Sequence, residues 1–172
     1  MAARASLKAF QESLAARLQA AAAAGAVPSA RLAFEAAGQL WMLPLEASGE
    51  VLPVPEIARV PLTKDWFLGV ANLRGVIYGV ADFARFLGAV PAARAPENRL
   101  LLVGQPLAIN AALLVTRLAG LRNLADLEPA EEGAPRVAWT RAAWRDREGR
   151  LWRELDAAGL LAHPDFMEVA LQ

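Results

Sequence analysis

Cysteine is absent from this chain, and histidine and tyrosine occur once each. Without cysteine there is no disulfide staple, no thiolate metal site and no cysteine nucleophile. Charge of one sign is also lacking: 18 basic residues balance 18 acidic ones, so no global field draws the chain to nucleic acid or an anionic membrane, and any partner must be recognised locally. The 172 residues are 56% hydrophobic, yet much of that is alanine. No run approaches the roughly 20 apolar residues of a membrane helix, which predicts a soluble chain with no membrane insertion. Near the start, Lys8, Gln11, Glu12, Arg17 and Gln19 interrupt any secretory pattern, so the cytoplasm is the expected compartment.

The chemistry-bearing residues are equally sparse. His163 stands before Pro164, where a lone histidine reads as a surface or capping residue. The four serines, Ser6, Ser13, Ser29 and Ser48, fall in a helix or in turns, outside any nucleophile elbow. Gly69, Gly75 and Gly79 have the spacing of turn and strand glycines, not of a phosphate loop or dinucleotide fingerprint. Glu131 and Glu132 belong to an acidic loop, where solvated charge explains them. We therefore expect no catalytic residues, no cofactor and no metal, and not an enzyme.

What is present divides into a leading helix (residues 1–27 with its linker) and one domain (28–172) of two small lobes. From Ser6 to Ala24, Leu7, Phe10, Leu14 and Leu18 form one stripe, with Ser6 as N-cap and Gly25 as stop. This helix is expected to dock on its own body. After Pro28 the period falls to two. Leu32 and Phe34 alternate with Arg31 and Glu35, Ala37-Gly38 turns the chain, and Leu40–Leu45 returns. Glu46–Glu50 reads as a polar turn, and Val51–Val60 as an edge or irregular strand carrying Pro53 and Pro55. Pro61, Thr63 and Asp65 predict one helical turn bearing Trp66 and Phe67, ended by Gly69.

Two internal echoes predict a duplicated architecture. Strand, Gly-Gln, strand occurs at Leu32–Leu45 and again at Leu100–Leu114, with Gly104-Gln105 in the part of Gly38-Gln39. "VADFARFLG" (Val80–Gly88) and "ELDAAGLLA" (Glu154–Ala162) each place an aspartate, Asp82 or Asp156, between a strand and a short apolar helix, as an N-cap worth about 1 kcal/mol. Paired β-rich lobes of this size suit small barrels, which remove exposed sheet edges. Pro91–Pro96 and Asp126–Pro135 read as loops, the second mobile. From Arg136 to Arg153, Trp139, Trp144 and Trp152 alternate with six arginines. A single-stranded nucleic-acid platform could look like this. Alternatively, Asp146–Gly149 is a hairpin tip, with tryptophans on the inner face of a barrel and arginines on its wet face.

The run "VPLTKDWFLGVANLRGVIYGVADF", Val60–Phe83, resembles the central signature of the CheW-like coupling proteins of bacterial chemosensory systems, and a weaker likeness extends over Leu32–Phe166. "GVIYGVADF", "EVLPVP" and the leading helix are most similar to the branch serving type IV pili and twitching motility, the PilI-like proteins. The resemblance implies a mainly β fold of two intertwined five-stranded SH3-like barrels with short capping helices. It implies a cytoplasmic adaptor without catalysis, holding a chemoreceptor's cytoplasmic hairpin against the regulatory domain of a CheA-type histidine kinase. Asn72, Leu73, Arg74 and Gly75 occupy the family motif, near an inter-barrel groove where the receptor tip docks. Val70, Leu73 and Val76 are expected to line it. Gly75 lets the backbone reverse, Asn72 pins the turn, and Arg74 either braces the two lobes or contacts a partner helix. Gly79 stands where many members have proline.

Overall fold

The computed structural model describes residues 29–91, 93–131 and 137–171. The leading helix expected over Ser6–Ala24 lies outside these. Strands β1 (Ala30–Ala36) and β2 (Gln39–Pro44) form the hairpin expected from their alternation. Its two-residue turn places Ala37 at φ 55° and Gly38 at φ 67°, the pair of positive values that matches the natural twist of a tight hairpin. A single 3-10 turn then leads to β3 (Ser48–Pro53), an edge strand, in keeping with its proline. The next strands are β4 (Phe67–Leu73) and β5 (Val76–Asp82), followed by α1 (Phe83–Phe86), β6 (Arg99–Val103), β7 (Ala111–Val115) and β8 (Arg117–Asn123). The chain ends in β9 (Glu128–Pro129), β10 (Thr140–Arg145), β11 (Leu151–Leu155), α2 (Ala157–Ala162) and α3 (Pro164–Met167).

Two mixed sheets result, ordered β8-β1-β2-β11-β10-β9 and β3-β6-β7-β5-β4. Apart from the two-residue β9, their order repeats strand for strand. The hairpins β1-β2 and β6-β7 correspond. Each has its second strand paired in parallel, β2 with β11 and β7 with β5, and a short helix follows β11 and β5. This is the duplication the two sequence echoes announced. The second lobe is inserted whole between β2 and β8 of the first, so the lobes are intertwined. In the second lobe, Ala58 and Val70 exchange backbone bonds of 2.8 and 2.9 Å, tying the segment beyond β3 to β4 at the opposite edge. The first sheet returns on itself through one 3-10 turn between β8 and β9. The expected five strands become six there because Glu128-Pro129, within the segment read as a loop, pairs with Trp144 and Arg145.

Strand alternation sorts the apolar residues into three clusters. Met42, Ala33 and Trp152 fill the first barrel, and Tyr78, Val80, Leu100, Leu102 and Ala112 the second. The largest cluster lies between the barrels. Phe34 and Trp41 of the first pack against Phe83 of the second, with ring centroids 6.2 and 5.2 Å apart. Leu101, Leu113 and Leu155 are fully buried in the same layer, each contributing about 1.5–3 kcal/mol by leaving water.

Three local expectations are corrected. Thr63–Phe67 forms no helical turn. The C-terminal tail pairs with its start, Lys64 N–H donating to the Val169 carbonyl at 2.8 Å and Thr63 bridging Ala170, and a single tight turn over Asp65-Trp66 follows, closed by Phe67 N–H donating to the Lys64 carbonyl at 3.0 Å. Trp66 instead stacks on Phe166 at 5.4 Å, while Phe67 opens β4. Gly69 lies inside that strand at φ 130°, where a Cβ would stand 2.0 Å from the Ala58 carbonyl oxygen. Finally, only one aspartate caps through its side chain. Asp82 accepts from Arg85 N–H at 3.1 Å, whereas Asp156 makes no capping bond and faces Arg141 at 3.6 Å. His163 is a capping residue, Nδ1 accepting from Asp165 N–H at 3.3 Å at the start of α3.

Candidate functional site: the Arg74 turn and the adjoining cleft

The β4–β5 hairpin pairs Leu73 with Val76 and leaves only Arg74 and Gly75 to turn the chain, at φ 54° and 88°. Gly75 suits such a turn. Arg74 does not, since a left-handed residue with a side chain costs about 1 kcal/mol or more. Two contacts hold the geometry. Asn72 Oδ1 accepts from Gly75 N–H at 2.8 Å, so Asn72 pins the turn as expected. The Arg74 guanidinium donates through Nη1 and Nη2 to the two carboxylate oxygens of Glu50, at 3.0 and 2.6 Å. This fork-to-fork pair is solvent-facing, with side chains 77% and 41% exposed.

Glu50 lies on β3, at the far edge of the same sheet. Arg74 therefore braces the two edges of the second barrel, and the expectation of a brace between lobes is corrected. The sequence pointed elsewhere because Glu50 read as part of a polar turn. Nor do the three expected apolar residues share a surface. Leu73 packs inward on the second barrel's core with Ala71 and Tyr78. Val70 alternates to the outer face, half-buried, while Val76 is exposed.

The outer face continues from the turn through Ile77, which is opposite Asn72 and 52% exposed, to Gly79. Gly79 forms part of a cleft of about 140 Å³ lined also by Phe67, Ile109, Phe166 and Met167. The cleft joins β4 and β5 of the second barrel to α3, which follows the first. A Cβ on Gly79 would meet Phe67 Cε2 at 3.2 Å, so glycine keeps the cleft floor low. Ile77, Ile109 and Met167 escaped the sequence reading because each belongs to a different element. Only a run of exposed apolar residues on paired strands could have hinted at Ile77.

The tryptophan and arginine hairpin is built differently. Trp152 is 1% exposed inside the first barrel, its indole N–H donating to Asp146 Oδ2 at 2.9 Å. Trp144 Nε1 donates to Glu154 Oε2 at 3.1 Å, and Glu154 Oε1 accepts from buried Arg31 at 3.0 Å. Trp139 packs into the inter-barrel layer, beside Phe86. Arg141, Arg145, Arg147 and Arg150 are exposed. The rings thus serve the interior and present no stacking platform. Although burial opposes it, bonds from Trp152 and from the Arg150 N–H and guanidinium lower the Asp146 carboxyl to about 2.

The family model described as the CheW-like domain matches residues 31–165. The chain belongs to the CheW-like family. The Protein PilI of Pseudomonas aeruginosa is 26% identical over 146 residues, covering 81% of this chain and 79% of that protein, which sets this CheW-like chain with the PilI-like branch. Chemotaxis protein CheV3 of Helicobacter pylori is 25% identical over 87 residues, 49% of this chain and 28% of that one. The scaffolding protein TtCheW of Thermoanaerobacter tengcongensis shares the fold, with a TM-score of 0.63 over 75% of this chain and 89% of that one, at 21% identity. No helix among the described residues of this CheW-like chain is long and apolar enough to cross a membrane.

Proposed function

We propose that this chain is a non-enzymatic cytoplasmic adaptor that couples a chemoreceptor's cytoplasmic hairpin to the regulatory domain of a CheA-type histidine kinase, in a chemosensory pathway controlling type IV pili. The observation that carries the reading is the Arg74 turn. An arginine is kept at a left-handed position, oriented by Glu50, largely exposed, and set beside exposed Val76 and Ile77. The left-handed backbone belongs to the tight turn itself, as at Ala37, so what distinguishes this position is the guanidinium it presents. Exposed apolar side chains next to an oriented guanidinium, on a strand face that runs on to the apolar cleft, suit a partner helix, whose apolar side chains supply affinity while the charge sets its register. Likeness to proteins named for pili and for chemotaxis supports the pathway.

The test is co-purification of the full chain with a receptor hairpin and, separately, with a kinase regulatory domain. Ile77→Asp is expected to weaken capture of the hairpin at least tenfold, since a charge replaces an apolar anchor, and to leave melting unchanged. Undiminished capture of both partners by this variant would overturn the site.

A further inference from the structure

The second barrel has another opening, at the end away from the Arg74 turn. Leu68 and Arg74 lie at opposite ends of β4, about 20 Å apart for an extended strand. Around Leu68 the barrel mouth widens into a cavity of about 660 Å³, a volume typical of sites for small organic ligands, which occur in barrel mouths. Its floor is apolar. Ile57, Leu68 and Leu114 line it, and the same three residues pack on the barrel core. Three arginines, Arg59, Arg85 and Arg94, are among the residues of its walls. Arg85 is partly committed, donating to the Asp65 carbonyl at 3.2 Å and lying 3.6 Å from Asp82. Arg59 and Arg94 are exposed and make no ion pair with another described residue.

We propose that this mouth binds an organic anion with an apolar body, of up to about mononucleotide size. The opposing carboxylates do not cancel the cations. Asp82 is 2% exposed, and its oxygens are turned to the start of α1 and to Arg85. Glu56 is the other acidic group on the wall. The lining thus keeps a net charge of +1, and Arg59 and Arg94, which pair with neither carboxylate, can grip a carboxylate, sulfonate or phosphate by charge-assisted bonds while the apolar floor takes the body. Prolines at positions 55 and 91 stiffen the rim, so little ordering is needed on binding. Neither the turn nor the cleft described above takes part.

The test is a fluorescence titration of the full chain with anilinonaphthalene sulfonate, beside neutral phenylnaphthylamine, with amide chemical shifts locating the contact. Saturable binding of the sulfonate is expected, with shifts at Ile57, Leu68 and Leu114. The neutral dye should bind more weakly. The double variant Arg59→Gln/Arg94→Gln should bind the sulfonate at least about tenfold less tightly, with unchanged melting because both side chains are exposed. Met167→Gln, in the other cleft, should bind it as before. Shifts at Gly79 and Met167 instead, equal affinity for the neutral dye, or unchanged affinity in the double variant would each overturn the proposal. So would displacement of the dye by an acidic peptide but not by benzoate or adenosine monophosphate, which would make the occupant a protein.

Discussion

Replacing Arg74 with asparagine separates its part in folding from its part in binding. The left-handed backbone at φ 54° strains an arginine, and asparagine at the first position of such a turn relieves about 0.5 kcal/mol of that strain. Against this stands the lost pair with Glu50. Its side chains are 77% and 41% exposed, so solvent screening limits it to about 0.2–1 kcal/mol. The two changes nearly cancel. For a chain of this size, a residual of about 0.5 kcal/mol moves the melting temperature by only about 2 °C. If the guanidinium contacts a partner, its loss removes an arginine anchor worth about 2 kcal/mol, or about thirtyfold in affinity. Calorimetric titration against the receptor hairpin and the kinase regulatory domain, with thermal melts alongside, reads both quantities. Glu50→Gln supplies the control, because it frees Arg74 without removing it. A direct contact requires Arg74→Asn to weaken binding far more than Glu50→Gln does, whereas a pure brace requires equal losses. Binding of both partners within threefold of the parent by Arg74→Asn, at unchanged melting, would refute the reasoning.

Other perturbations probe the scaffold. Arg31→Met strands the Glu154 carboxylate, whose side chain is 6% exposed. Denaturant unfolding should show a loss of about 3 kcal/mol or more, most of it regained in Arg31→Met/Glu154→Leu. Gly69→Ala forces a Cβ to 2.0 Å from the Ala58 carbonyl oxygen at φ 130°, and should cost about 3 kcal/mol or more, or prevent folding, as read by circular dichroism. Asp146 has its folded pKa lowered from 3.8 to about 2. Its stabilisation is therefore present above pH 4 and lost as pH falls from about 4 to 2. With solvent screening at the hairpin tip it amounts to about 1 kcal/mol, and Asp146→Ala should show a correspondingly shallower loss of stability across that window.

Much of the architecture was legible in the residues. Alternation in Leu32–Leu45 announced a hairpin, and its echo at Leu100–Leu114 announced the same hairpin again. The Asp-then-helix punctuation at Asp82 and Asp156 placed the short helices, because strand period and helix entry are local properties. The Asn-Leu-Arg-Gly stretch was legible as a turn for the same reason. What failed was non-local. The Thr63–Phe67 stretch carried helix-start residues, but Thr63 and Lys64 pair with the C-terminal tail and only a tight turn over Asp65-Trp66 forms, since tertiary hydrogen bonds outweigh weak local propensity.

The sequence by itself determined two repeated β units and an interior supplied by alternating apolar residues. Only the tertiary structure decided that Arg74 meets Glu50, that Leu73 turns inward while Ile77 faces out, and that Trp144 and Trp152 serve the core of the first barrel. The physical reason is range. Periodicity records which neighbours along one strand point the same way, whereas a charge pair or a cleft wall arises when sheet closure brings distant edges together.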